Sequence, residues 1–105
     1  MSSHVGGPER AGERVDAVSG VLRALIHLLS AFGHEAKARW LAERLDASQQ
    51  GPPDATARTL EELHGVVLGM GGLMDLHLGG ASVVESEAAN VELERLADQL
   101  YRLTR

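Results

Sequence analysis

The sequence predicts an all-α protein: a small four-helix bundle with a glycine-rich connection between its third and fourth helices. Three observations carry that prediction. Apolar residues recur at spacings of three and four along several stretches, which places them on one face of a helix. No stretch alternates with period two for more than a few residues, so strands are not indicated. Phe32, Trp40 and Tyr101 are the entire aromatic complement, leaving Leu, Val and Ala to build the core, and these suit helix-on-helix packing. A chain of 105 residues has room for one domain with one small core. Met1 to Gly12 offers Ser, Gly, Pro and charge, with Val5 its only sizeable apolar side chain. It is expected as a flexible tail (1–12) ahead of a single helical domain (13–105).

The first helix is marked by Val15, Val18, Leu22, Leu25, Leu29 and Phe32, spaced 3-4-3-4-3, with Val21, Ile26 and Leu28 widening the stripe. Gly33 is a natural stop, because glycine accepts the left-handed conformation that ends many helices. Gly20 interrupts the pattern and predicts either a close helix–helix contact or frayed first turns. The second helix is expected over His34 to Leu45, with Trp40, Leu41 and Leu45 inward, followed by a loop from Asp46 to Pro53. Two consecutive prolines cannot continue a helix but can open the next. The third helix is expected from Asp54 or a few residues later, since Thr59-Leu60-Glu61-Glu62 has capping-box spacing. Its inner face is Leu60, Leu63, Val67 and Met70, and Met74 continues the series. Ala81 to Val84 reads as a short connector. The fourth helix is expected to start between Ser86 and Asn90 and to run to the C-terminus, with Ala89, Leu93, Leu96, Leu100 and Leu103 inward. An up-down bundle is the simplest topology for four such helices.

Composition excludes several classes of function. Without cysteine there is no disulfide, thiolate metal site or cysteine nucleophile. A net charge of −5 argues against nucleic acid and is compatible with a basic protein partner. Met1 to Gly12 has no apolar signal core, and the nearly apolar run Val21 to Phe32 is too short to span a bilayer and contains Arg23 and His27. The expectation is a cytoplasmic protein that engages no membrane.

Six of the twelve glycines (Gly65, Gly69, Gly71, Gly72, Gly79 and Gly80) fall within sixteen residues. Such clustering calls for positive φ angles or a close approach of the backbone to something else. Gly69, Met70, Gly71, Gly72, Met74 and Asp75 are therefore the candidate binding residues. A phosphate cradle is disfavoured, because no Lys or Arg follows and neither the Walker nor the dinucleotide spacing is present. Asp75 is the stretch's ionisable residue and suits the cap of a short helix; the rival roles are metal ligand and general base. His64 and His77 would supply two further ligands, but residues two apart on a helix point about 200° apart. His27, on the apolar first helix, reads as a neutral boundary residue. No Ser-His-Asp, paired-carboxylate or His-Glu-x-x-His arrangement is present.

The run Leu68-Gly69-Met70-Gly71-Gly72-Leu73-Met74-Asp75-Leu76, with Trp40 upstream and Asn90 before the helix Leu93 to Tyr101, resembles a family of small uncharacterised bacterial proteins. Their core motif is close to Gly-Gly-Met-Gly-Ser-Leu-Asn-Asp-Leu, and the similarity covers about the last two-thirds of the chain. Leu68 replaces the motif's first glycine, Gly72 its serine and Met74 its asparagine, so a hydroxyl and an amide are missing beside Asp75. The resemblance implies no established activity; its nearest analogy is to immunity or accessory proteins of bacterial toxin systems. The expected function is a non-enzymatic protein–protein interaction module, immunity- or antitoxin-like, that uses no cofactor or metal. Its partner would be a basic toxin or a second copy of the chain. The rival expectation is a small-molecule or metal-binding protein with its site around Asp75, His64 and His77. An exposed apolar patch favours the first; a pocket converging on Asp75 favours the second.

Overall fold

The structure is a computed structural model that describes residues 7–69 and 72–104. It is all-α. Four helices, α1 (Gly7–Ala31), α2 (Glu35–Gln50), α3 (Pro53–Leu68) and α4 (Val83–Thr104), are joined by two tight turns and one long strap. The strap carries a single 3-10 turn, Leu73–Asp75. Helix α1 packs on α2 and α4, and α3 on α2 and α4, so each helix has two neighbours around a ring. The core is aliphatic. Val18, Leu22, Leu25 and Leu29 of α1 meet Leu41, Leu63, Val67 and Leu100, all of them buried, while Phe32, Trp40 and Tyr101 are only partly buried at its edge.

Helix α1 begins six residues before the expected domain start, with Pro8 in its first turn, where a missing N–H costs nothing. Residues 1–6 of the expected tail lie outside the described residues. Gly33 ends the helix as its sequence position predicts, at φ +85°. Around it His34 N–H donates to Leu29 O (2.8 Å) and Gly33 N–H to Ser30 O (3.2 Å), the paired bonds of a Schellman motif. Gly20 is exposed with no packing neighbour within 4 Å, so neither close contact nor fraying accounts for it, and α1 runs through it.

The loop expected from Asp46 to Pro53 is largely helix. Helix α2 continues to Gln50, leaving Gly51 and Pro52 as the connection. Gln49 reaches Ser19 of α1 (3.4 Å), and Ser48 is buried with its hydroxyl donating to Leu45 O of its own helix (2.8 Å). Pro53 opens α3 at its first position. Thr59 is consequently not a cap. It lies buried inside α3 and donates to Ala55 O (2.9 Å), the way a mid-helix threonine satisfies its hydroxyl. On the outside, Arg44 joins α2 to α3 through Glu62 (3.1 Å) and lies over the Trp40 ring at 5.0 Å.

Helix α4 starts at Val83, earlier than expected, because Ser82 caps it and Glu85 reaches back to the residue before the cap. Glu85 N–H donates to Ser82 Oγ (3.1 Å), and the Glu85 carboxylate accepts from Ala81 N–H (3.0 Å). At the far end Arg14 of α1 donates to Leu103 O (2.6 Å), occupying a carbonyl that the helix terminus leaves open. Among the described residues no helix is long and apolar enough to cross a membrane.

Candidate functional site

The strap from Gly69 to Ser82 is built from two aliphatic anchors and one polar clamp. After α3 the chain leaves in extended geometry at Gly69 (φ −68°, ψ 160°), whose N–H still bonds Gly65 O (3.0 Å). Gly72 then folds back onto α3. A Cβ there would overlap the Val66 carbonyl oxygen and lie 2.8 Å from Gly69 O, so only glycine can approach this closely. Gly69 and Gly72 both have negative φ. Close approach rather than positive φ is what glycine supplies at position 72. Met70 and Gly71, two of the candidate binding residues, lie outside the described residues.

Leu73 and Leu78 are the anchors, both fully buried. Met74 does not continue the inner face of α3: it is 45% exposed, because the 3-10 turn resets the periodicity and hands the inward position to Leu73. Asp75 does not cap the start of this turn either. It is the last residue, exposed, with its N–H on Gly72 O (3.1 Å), and Gly72 occupies the cap position.

Asn90 of α4 is the clamp. Its Oδ1 accepts from Leu78 N–H (2.7 Å), and its Nδ2 donates to Leu78 O (2.8 Å) and to Ser86 O (2.7 Å). The side-chain amide thereby stands in for a neighbouring peptide, pairing with both backbone groups of one residue. One turn earlier, Ser86 Oγ accepts from Gly80 N–H (2.7 Å). Three side chains of α4 (Glu85, Ser86 and Asn90) thus fix the strap along one edge of the helix.

No protein-family model, curated protein or solved structure matches the chain.

Between the strap and the outer face of α4 runs an open groove of about 780 Å³. His77 and Gly80 to Val83 form one wall; Glu87, Val91 and Glu94 form the other, and Asp75 is not part of the lining. Met74 flanks the groove beside Val91 and Glu94. Among the described residues four large apolar side chains stand in solvent: Met74, Val83 (72% exposed), Val84 (77%) and Val91 (67%). Among the described residues Glu87 and Glu94 have no ion-pair partner, whereas Glu92 is held by Arg95 (2.9 Å) and Asp98 by Arg102 (3.0 Å). The Arg95 guanidinium, bonding Glu92 through two nitrogens, holds that carboxyl below the usual range.

The histidines are not gathered with Asp75. His64 is half-buried, stacked on Tyr101 with ring centroids 4.4 Å apart, and its Nδ1 lies 3.0 Å from Thr104 Oγ1. The Thr104 hydroxyl spends its hydrogen on Leu100 O (2.7 Å), so His64 Nδ1 is the donor, and the pair ties α3 to the end of α4. His77 is exposed on the groove wall. Among the described residues no three His, Asp or Glu side chains lie close enough together to hold a metal ion. Sequence reasoning gave no site role to Asn90, Ser82 or Glu85, and named Asn90 only within the family resemblance. The available signals were the Ser-x-x-Glu spacing of a capping box and an asparagine, a poor helix former, inside a strongly helical segment.

Proposed function

We propose that this protein is a non-enzymatic protein–protein interaction module, an immunity- or antitoxin-like cytoplasmic protein that occludes a basic partner. The observation that carries this reading is the outer face of α4 and its strap. Met74, Val83, Val84 and Val91 are exposed there beside Glu87 and Glu94, which no cation neutralises among the described residues. Apolar side chains grouped in solvent beside polar ones mark binding surfaces, since burying them on a partner is favourable. Unpaired carboxylates select that partner's charge. A basic surface is steered in and a second copy of this acidic chain is repelled, which ranks a heterologous partner above a homodimer. The groove is open and its lining includes no Asp75, so a small-molecule site on that residue finds no support in it.

The test is capture from the cells that make the protein, comparing the wild-type chain with Val91→Asp and with Glu87→Lys. A stoichiometric basic protein held by the wild type and lost by both variants, with circular dichroism unchanged, is the expected result. Equal capture by all three would refute the reading.

A further inference from the structure

The outer face of α4 carries an ordered row rather than scattered groups. Val84, Glu87, Val91 and Glu94 are spaced 3-4-3, which sets them on one side of the helix, and all four are exposed. Ala89, Leu93, Leu96 and Leu100 take the opposite side, in the core. The row has the pattern of a coiled-coil seam, with valine at one heptad position and glutamate at the other. At about 1.5 Å of rise per residue, its groups recur about every 5 Å and its valines about every 10.5 Å. The strap walls one flank with His77, Gly80, Ala81 and Ser82, and Met74 stands beside the far end at Val91 and Glu94. Among the described residues Glu87 and Glu94 have no ion-pair partner, whereas Arg95 bonds Glu92 and Gln99, and Arg102 bonds Asp98.

We propose that this row is a docking seam for one amphipathic helix of the partner, apolar and basic at matching heptad positions. The proposal rests on the interaction reading above and specifies its mode. Spacing selects a helix. Laid along α4, a partner helix presents side chains every three or four residues, so its apolar groups meet Val84 and Val91 while Lys or Arg meets Glu87 and Glu94. An extended segment offers same-face side chains about every 6.7 Å and falls out of step with the row. Charge selects the sequence. A second copy docking by the same row would set carboxylate against valine or carboxylate, with no cation to offset the lost hydration. A basic helix neutralises both glutamates.

The probe is a display library of three-heptad, alanine-based helices, randomised at their a and d positions and selected on the full chain. The expected winners alternate apolar residues with Lys or Arg along one face. They bind the Glu87→Lys/Glu94→Lys chain about tenfold more weakly, and exchanging their basic residues for Glu restores binding to it. That rescue also shows the charge-reversed chain to be folded. A proline placed mid-winner abolishes binding, and the bound winner shifts the methyl resonances of Val84 and Val91 but not those of Leu41. Selection of no helix, winners indifferent to charge reversal, or winners that tolerate the proline overturn the seam. So does a dimer of the full chain, seen by sedimentation, that Val91→Asp dissolves. The interaction reading fails separately. A basic partner captured by the wild type and lost with Val91→Asp preserves it when no helix is selected, and loss of both defeats the two together.

Discussion

The Asn90 carboxamide meets Leu78 with both of its ends, so Asn90→Ala leaves a backbone donor and acceptor unpaired beside a fully buried leucine. Leaving such groups unsatisfied costs roughly 2–3 kcal/mol, and urea denaturation reads that loss directly. Glycines separate by environment in the same assay. Gly33→Ala forces a side chain into the left-handed region at φ +85° and costs about 1 kcal/mol. Gly72→Ala drives a Cβ into the Val66 carbonyl and costs about 1–3 kcal/mol. Gly20→Ala, exposed and free of neighbours inside α1, stabilises by up to about 1 kcal/mol. The glycine clustering was legible as a sign of close approach, but which glycine makes it depends on where Val66 points, and that is a tertiary fact. Glu92 gives a pH signature of opposite sign to a buried acid. Its folded-state carboxyl is lowered by Arg95, so the stability it adds is present above the ordinary carboxylate range and is lost as pH falls through the lowered value. In an NMR titration Glu92 protonates at lower pH than an ordinary glutamate carboxyl, and Arg95→Gln removes that lowering.

At the level of elements, helix faces were legible and helix ends were not. Val18, Leu22, Leu25 and Leu29, and likewise Leu93, Leu96 and Leu100, are buried as their spacing predicts, because the 3.6-residue repeat is a property of the helix itself. The end of α2 lies where Gln49 reaches Ser19 of α1, a contact that no local pattern reveals. The start of α4 was legible in Ser82 and Glu85, but the flanking Val83 and Val84 resemble a connector because the folded chain leaves them in solvent. Ser82→Ala removes the cap and costs about 1 kcal/mol. Thermal denaturation measures it, with greater fraying of the first turn of α4 expected in hydrogen exchange. Met74 failed for a related reason: its spacing from Met70 continues a helix that has already stopped at Leu68.

For the whole molecule, four helices around an aliphatic core form the scaffold, and the strap held to α4 by Asn90, Ser86 and Glu85 makes one face unlike the others. The fold class was readable from periodicity alone. The candidate face was not, since it joins residues from positions 74 to 94 only after the strap has folded back along α4. Because that face is acidic, association with a basic partner should slow as ionic strength rises, by stopped-flow fluorescence of Trp40 or of a label. The most direct test of the central claim is hydrogen exchange of the full chain, alone and bound to its captured partner. Protection concentrated on residues 77–94, with α2 and α3 unchanged, is the predicted result. Protection confined to α2 or α3, with Val83, Glu87 and Val91 exchanging as in the free protein, would contradict it.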